Sequence, residues 1–571
     1  MRGFNISIGS SNEEISRSWK TQTNPHNCIA YKDIYLENFS NNKFENDSLF
    51  TETTDYIIVL KGVILNQKAL LKPNLNWEET LIELYLREGN EFFKKFKGSF
   101  CGALYDKKKE KWLVFTDHIG SRDLYYYKKG DTYFISSEIN EIYAFLKANN
   151  RSYGFNIAAA YNLLSYGYML GNKTLCEDIH KIMPGNYLRV EDGSTDMTNY
   201  YQLPKSKLEG DINEDEVIEI LDTKFREAIR LQFDKDREYS YKHLVTLSGG
   251  LDSRMVAWVA HEMGYVNQIN LTFSQSDYLD ETIAKKIAAD LKHEWIFKAL
   301  DNGNFLKDID EITKISGGHV LYYGLAHSHS IYKYINSDIL GMTHSGQLGD
   351  VVIGSYIGRL NNEDLKTLGG KFSKGIEGKN PTNTSFDSFE DLELAMLYQR
   401  GLNGINEGLK IGQINSETIS PFYDVDFMEF CLDIPIKNRM NHGIYLKWLL
   451  SKYPEAANYK WEKINRKPST KQVSINYKGR QMPLRNATSA VLHKLGLKSS
   501  ARSTKNHMNP LEYWYNTNND LRTFQDTYFK VNIERITDRE LKSDCQNLYN
   551  SGNAIEKNQV LTLLSAIKLN F

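Results

Sequence analysis

The chain has 571 residues, of which 41% are apolar and 25% charged, and its formal net charge is −2. One core rarely grows to that length, so two domains are expected, and the near-zero charge excludes bulk attraction to nucleic acid or acidic membranes. Five widely spaced cysteines without a CxxC pair exclude a zinc ribbon or a disulfide framework and point to a reducing compartment.

The opening MRGFNISIGSSNEE lacks the apolar centre of a signal peptide, and no apolar run approaches the ~20 residues of a membrane span, so a cytoplasmic location is expected. DYIIVLKGVIL (55–65) and KWLVFTD (111–117) read as strands, and DLYYYKKGDTYFISS (123–137) as a hairpin turning at Lys129-Gly130-Asp131. Between them NWEETLIELYLREG and GNEFFKKFKG carry helical spacing. Many strands with few helices predict an α+β domain. Apolar content falls over 200–215, which places the boundary between domains 1–204 and 205–571.

Beyond it the period changes. EDEVIEILDTKFREAIRLQF (214–233) is helical, HLVTL is a strand, and RMVAWVAHEMG continues as a helix. QINLTFS (268–274) is a second strand, followed by DETIAKKIAADLKHE with Asp280 as its expected N-cap. Alternating strands and helices predict a parallel sheet. DVDFMEFCLDI and KNQVLTLLSAIKLNF are later helices.

The first strand–helix junction of this half is LSGGLDS (247–253). Glycines there let backbone approach a ligand, and unpaired N–H groups at a helix start hold anions. Ser248 and Ser253 add hydroxyl donors. Asp252 would repel a bare phosphate, so it makes sense beside a cation such as Mg²⁺ that also binds phosphate oxygens. The bland alternative is a capped turn.

This element resembles the PP-loop of the ATP pyrophosphatases. MTHSGQLGDVVIGSY (342–356) resembles the S-G-x-G-x-D-E element of the asparagine synthetase family, and ETISPFYDVDFMEFCLDIPIKNRMNHGIYLKWLL (417–450) resembles that family's core segment. The resemblance implies that Leu247, Ser248, Gly249, Gly250, Asp252, Ser253, Ser345 and Gly346 bind ATP. It also implies that Asp252 and Asp350 hold Mg²⁺, and that a lysine in KWEKINRKPS stabilises the reacting α-phosphate. Lys463 is the candidate and Lys467 the alternative. Gln347 stands where the synthetases carry a functional Glu, and Val351 where Glu often follows the Asp.

Residues 92–142 resemble the class II glutamine amidotransferase domain, whose active members begin Met-Cys-Gly; this chain begins Met1-Arg2-Gly3. Lys61-Gly62 stands where the family places its Asn-Gly oxyanion pair. Arg2 offers no nucleophilic oxygen or sulfur, so a scaffold without glutaminase chemistry is expected, as in β-lactam synthetases and lasso-peptide cyclases. The implied fold is an Ntn-type αββα sandwich followed by an α/β parallel-sheet PP-loop domain of the adenine nucleotide α-hydrolase type.

The implied reaction is AMP-forming amide synthesis through an acyl-adenylate. Its carboxylate belongs to a small molecule, glycan or peptide, and its amine donor is left open. An inert scaffold or regulatory subunit, and a PP-loop enzyme acting on tRNA, are the competing readings; no nucleic acid partner is expected, and a homodimer is allowed for. The stretch 463–511 holds 11 Lys plus Arg and no acid, which suits an anionic substrate. Arg254 could reach a phosphate or a substrate carboxylate. His327 and His329, two apart, make a poor metal pair on a helix.

Overall fold

The computed structural model describes residues 3–19, 27–356, 391–470 and 504–571, the isolated positions 373, 376, 379 and 389, and a hairpin at 474–477 and 480–483. Two six-stranded sheets form the first half. One has the order β10(Ile179–Lys181), β8(Tyr125–Lys129), β9(Thr132–Ser136), β1(Gly3–Ile8), β3(Ile34–Phe39), β2(Asn27–Tyr31). The other runs β12(Ser194–Asn199), β11(Asn186–Glu191), β7(Lys111–Thr116), β6(Gly98–Asp106), β5(Tyr56–Ile64), β4(Leu49–Glu52).

Strand periodicity builds the layers. In β5, Ile57 and Val59 point into the core between the sheets, where Phe4, Leu36, Trp112 and Ile135 meet them. Ile58 and Leu60 point outward under Trp77, Leu81 and Leu84 of the helix Trp77–Glu88. On the opposite outer face Tyr125, Tyr127 and Phe134 pack against Ile139, Ile142 and Phe145 of the helix Ile139–Ala148. The result is helix, sheet, sheet, helix. The segment 89–98, read as helical, is a 3₁₀ turn over Gly89–Lys95 that hands over to β6 at Gly98. Phe92, Phe93 and Phe96 all face the outer core.

The second half centres on a five-stranded parallel sheet, β15(Glu294–Ala299), β14(Gln268–Ser274), β13(Lys242–Thr246), β16(Leu340–His344), β17(Thr418–Ile419). The chain fills it outward from β13 in one direction and then from β16 in the other. That reversal opens a crevice above the carboxyl ends of β13 and β16, where α/β sheets bind ligands. Met255, Val256 and Val259 of the helix Leu251–Glu262 join the large core with Phe225 and Ile229 of the helix Glu214–Glu238. Leu244, Leu271 and Leu340 pack with Ile331 of the helix Tyr323–Tyr332 in a separate cluster. Among the described residues no helix is long and apolar enough to cross a membrane.

Asp280 is not an N-cap. Tyr278 holds that position, and Asp280 sits inside the first turn of the helix Leu279–Asp290. Its carboxylate is drawn away from the helix by a backbone amide of the neighbouring glycine loop.

Candidate active site

The loop 248–250 leaves β13 and enters the helix Leu251–Glu262. Ser253 Oγ accepts from the Ser248 amide at 3.0 Å and lies 3.0 Å from Ser248 Oγ, which accepts from the Gly250 amide at 3.1 Å. The Gly249 amide donates to Asp280 Oδ1 at 2.8 Å. Burial pushes the Asp280 carboxyl up to about 6 against the pull of that amide.

The second loop leaves β16 beside the first. A Cβ on Gly346 would lie 2.3 Å from the Ser253 amide nitrogen, and one on Gly349 would lie 2.7 Å from Asp252 Cγ. At Gly346 the two loops touch through backbone, and at Gly349 the side chains of Asp252 and Phe422 fill the space a Cβ would take. This contact brings Asp350 to Asp252 across 98 positions: the Asp350 amide donates to Asp252 Oδ2 at 3.1 Å. Tyr445, in the helix Gly443–Lys452, donates its hydroxyl to Asp252 Oδ1 at 2.7 Å. Burial, then the charge of Asp350, raise the half-buried Asp252 carboxyl to about 7, while its two hydrogen bonds and the charge of Lys463 act the other way.

Lys463 rides on a loop folded onto the glycine loop. The Trp461 amide closes on Arg466 O at 2.7 Å, and the Glu462 amide donates to Gly249 O at 3.1 Å. Tyr278 donates its hydroxyl to Glu462. Lys463 Nζ lies 2.9 Å from His442 Nε2. Lys467 is exposed on the same loop.

Arg254 takes a different part from the one the sequence suggests. It is 0% exposed and donates to the carbonyls of Ala456, Tyr459, Lys460 and Gly249 at 3.1, 3.3, 2.5 and 3.2 Å. Its two terminal nitrogens bond backbone and its Nε is buried without a partner among the described residues, so the guanidinium faces these carbonyls and does not line the cavity. It fastens the segment 456–460, and with it Lys463, to the glycine loop.

Leu247, Ser248, Gly250, Asp252, Ser253, Ser345 and Gly346 line one cavity of about 460 Å³. Gly249 borders it through the Asp280 bond rather than lining it. The far wall carries Phe273, His327, Thr343, Ile405 and Gly408. Gln347 donates through Nε2 to Ile405 O at 2.7 Å, a bond a glutamate could not make. His327 lies tilted against Phe273 with ring centroids 4.9 Å apart, and burial depresses its imidazole to about 4. His329 turns instead to Glu311 at 3.3 Å, so the two histidines do not share a ligand.

In the sandwich, Lys61 is buried and Gly62 has φ +115°, with Ser99 O 2.0 Å from where a Cβ would stand. Burial pushes the Cys101 and Cys176 thiols up to about 12 and 11. Arg2 lies outside the described residues, as does much of the basic stretch 463–511. Sequence reasoning missed Tyr445 and His442 and misjudged Asp280, since each acts across a distance in the chain that no local pattern encodes.

Compared with known proteins, residues 41–201 match the glutamine amidotransferase domain family and residues 221–400 match the asparagine synthase family. The chain belongs to the asparagine synthetase-like family. A putative glutamine-hydrolysing asparagine synthetase 2 of Methanocaldococcus jannaschii is 24% identical over 424 residues, covering 72% of this chain and 76% of that protein. Asparagine synthetase B of Escherichia coli K12 is 23% identical over 218 residues, covering 37% of this chain and 33% of its own. A solved PRPP amidotransferase from B. subtilis overlaps 60% of this synthetase-like chain and 75% of its own, at 9% identity and a TM-score of 0.22, too slight a likeness to argue from.

Proposed function

We propose that this protein is an AMP-forming ATP-dependent amide ligase that activates a substrate carboxylate in the 460 Å³ cavity. The observation that carries the reading is the meeting of Asp252 and Asp350 beside the glycine loop. Two neighbouring carboxylates, with Asp252 raised to about 7 by burial and by the charge of Asp350, form an anionic donor set of the kind that suits a divalent cation. Bound there, Mg²⁺ would supply neutralising charge for ATP phosphates; Asp252 and Asp350 are the residues to hold it.

The residues of the chain then divide the work. Ser248 and Ser253, now bonded to each other, can rotate their hydroxyls to phosphate oxygens and expose the Ser248 and Gly250 amides behind them. Leu247, Ser345 and Gly346 offer apolar surface and backbone to the nucleoside. Tyr445 fixes one oxygen of Asp252 and leaves the carboxylate plane oriented. The Lys463 ammonium stabilises charge as the substrate carboxylate attacks the α-phosphorus and pyrophosphate departs. An amine then attacks the acyl carbon, loses a proton and releases AMP.

The sandwich supplies no ammonia in this reading. Its buried cysteines are held as thiols, Lys61 occupies the place where the family resemblance expects an oxyanion-binding Asn, and position 2 is Arg. The amine therefore comes from solution or from a substrate, and the enzyme works where those substrates are, in the cytoplasm. ATP–pyrophosphate exchange screened over amino acids, uronic acids and peptides is expected to rise with one carboxylate class. Exchange with none of them, together with no binding of Mg·ATP, would refute the ligase reading; robust glutamate release from glutamine would refute the silent sandwich.

A further inference from the structure

A cluster of four buried charges joins the two halves of the molecule away from the phosphate loop. Lys181 Nζ, from the sandwich, bridges Asp123 Oδ1 at 2.7 Å and Glu407 Oε1 at 2.8 Å. Lys410 returns from the other half to Asp123 and lies 2.7 Å from Glu407 Oε2. Tyr125 donates its hydroxyl to Asp123 Oδ2 at 2.7 Å. Side-chain exposure is 4% at Lys181, 6% at Asp123 and 1% at Glu407. Two acids and two lysines cancel, so the cluster is neutral as a set and costly when one member is removed.

The same strip of the synthetase-like half is gripped along its length. Asn403 Nδ2 donates to Met169 O and Gly171 O, each at 3.0 Å. Asn406 Nδ2 donates to Ile119 O at 3.3 Å, and Gln413 Nε2 to Ser121 O at 2.9 Å. Arg122 pairs with the buried Glu417. Every one of these bonds crosses from residues 119–181 to residues 403–417.

That strip is also a wall of the cavity, through Ile405, Gly408 and Gly412. It is tied to the second loop by Gln347 Nε2, which donates to Ile405 O at 2.7 Å, and to β16 by the Thr343 amide, which donates to Glu417 O at 2.8 Å. Burying this much charge is a poor way to gain stability alone, since apolar packing of equal volume does as well or better. What charge and directed hydrogen bonds give is a fixed position.

We propose that the amidotransferase-like sandwich is a positioning device. Through Asp123 and Lys181 it sets residues 403–417 and, through Gln347, the Ser345–Gly346 loop that meets the nucleotide. This rests on the reading of the cavity as an ATP site. Asp123, Lys181, Glu407 and Lys410 are positioning residues: none of them lines the cavity.

The test uses the full chain and the Mg²⁺ complex of α,β-methylene-ATP as probe, with binding followed by calorimetry and the strip followed by amide hydrogen exchange. The paired variant Asp123→Asn with Lys181→Met keeps the buried set neutral and leaves Lys410 with Glu407. It should melt within a few degrees of the parent, bind the probe about tenfold more weakly, and exchange faster over 403–417. A paired variant that is stable and binds like the parent overturns the proposal. Should it fail to fold, Gln413→Leu, which removes one crossing bond, is expected to weaken binding about threefold with faster exchange over the strip; unchanged affinity and exchange overturn the proposal equally. A parent chain that binds no probe sinks the ATP reading instead, and the exchange data then decide the positioning role by themselves.

Discussion

The sandwich and the cavity treat buried charge in opposite ways. At the sandwich's contact with the second half, Asp123 and Glu407 each face lysines, and the buried thiols are held protonated. At the cavity, Asp252 Oδ2 accepts a hydrogen bond from the Asp350 amide, and burial together with the charge of Asp350 raises its carboxyl to about 7. Matched charge fixes geometry, whereas like charges held together by packing raise a carboxyl, a kind of perturbation that clusters at functional sites. Under the proposed ligase reading, the contrast assigns chemistry to one half of the chain and support to the other.

The largest effect should come from the like-charged pair. Asp252→Asn is expected to lower ATP–pyrophosphate exchange by roughly three orders of magnitude with an unchanged far-ultraviolet spectrum, in line with loss of a metal ligand in a phosphoryl-transfer site. Lys61→Met, at the corresponding landmark of the sandwich, should leave exchange within about twofold, allowing for the usual scatter of remote substitutions. Equal losses in both variants would erase the division of labour.

Next comes the loop lysine. Lys463→Met should reduce exchange by about a hundredfold, the scale of one lost electrostatic contact to developing charge, while Lys467→Met should cost less than about threefold. A reversal of that order would move the reactive cation along the loop and leave the rest standing.

Arg254→Lys should be felt first in stability. A lysine cannot span four carbonyls, so a loss of about 2–4 kcal/mol in urea unfolding is expected, with weaker nucleotide binding as the Lys463 loop loosens. A variant of full stability that fails only in phosphate binding would return Arg254 to the role of a ligand.

The smallest effect belongs to the sandwich and should spare activity. Glu37 is 0% exposed, accepts from Asn5 Nδ2 at 3.1 Å, and is raised by burial from 4.5 to about 7. Its folded-state value exceeds its unfolded one. The stability it contributes is therefore complete below pH 4.5 and lost as pH rises through about 7. Glu37→Gln should raise the melting temperature at pH 8, by the equivalent of about 3 kcal/mol, and the gain should shrink at pH 5. A shift that is the same at both pH values would show that Glu37 is not protonated in the fold.

Much of this was legible in the residues. The β-branched run around Ile57, Ile58 and Val59 announced a strand, both of whose faces the structure buries, and QINLTFS became β14 at Gln268–Ser274 without adjustment. The glycine–serine junction could be located because a strand, a tight bend and a helix start leave a local signature. Arg254 and Asp280 were misplaced for the same reason that the others succeeded. Their surroundings in the chain say helix start, but their partners lie 202 and 31 positions away.

Sequence alone determined most of the strands and helices, the 3₁₀ turn at Gly89–Lys95 excepted, and where the glycine–serine bend lies, because backbone conformation is a local property; the pairing of Asp252 with Asp350 at a metal came from the family resemblance. Tertiary structure decided that Asp350 reaches Asp252, that Tyr445 orients it, and that residues 119–181 grip residues 403–417. Such meetings follow from how whole layers pack, and packing is set by the summed contacts of the chain rather than by any one stretch of it.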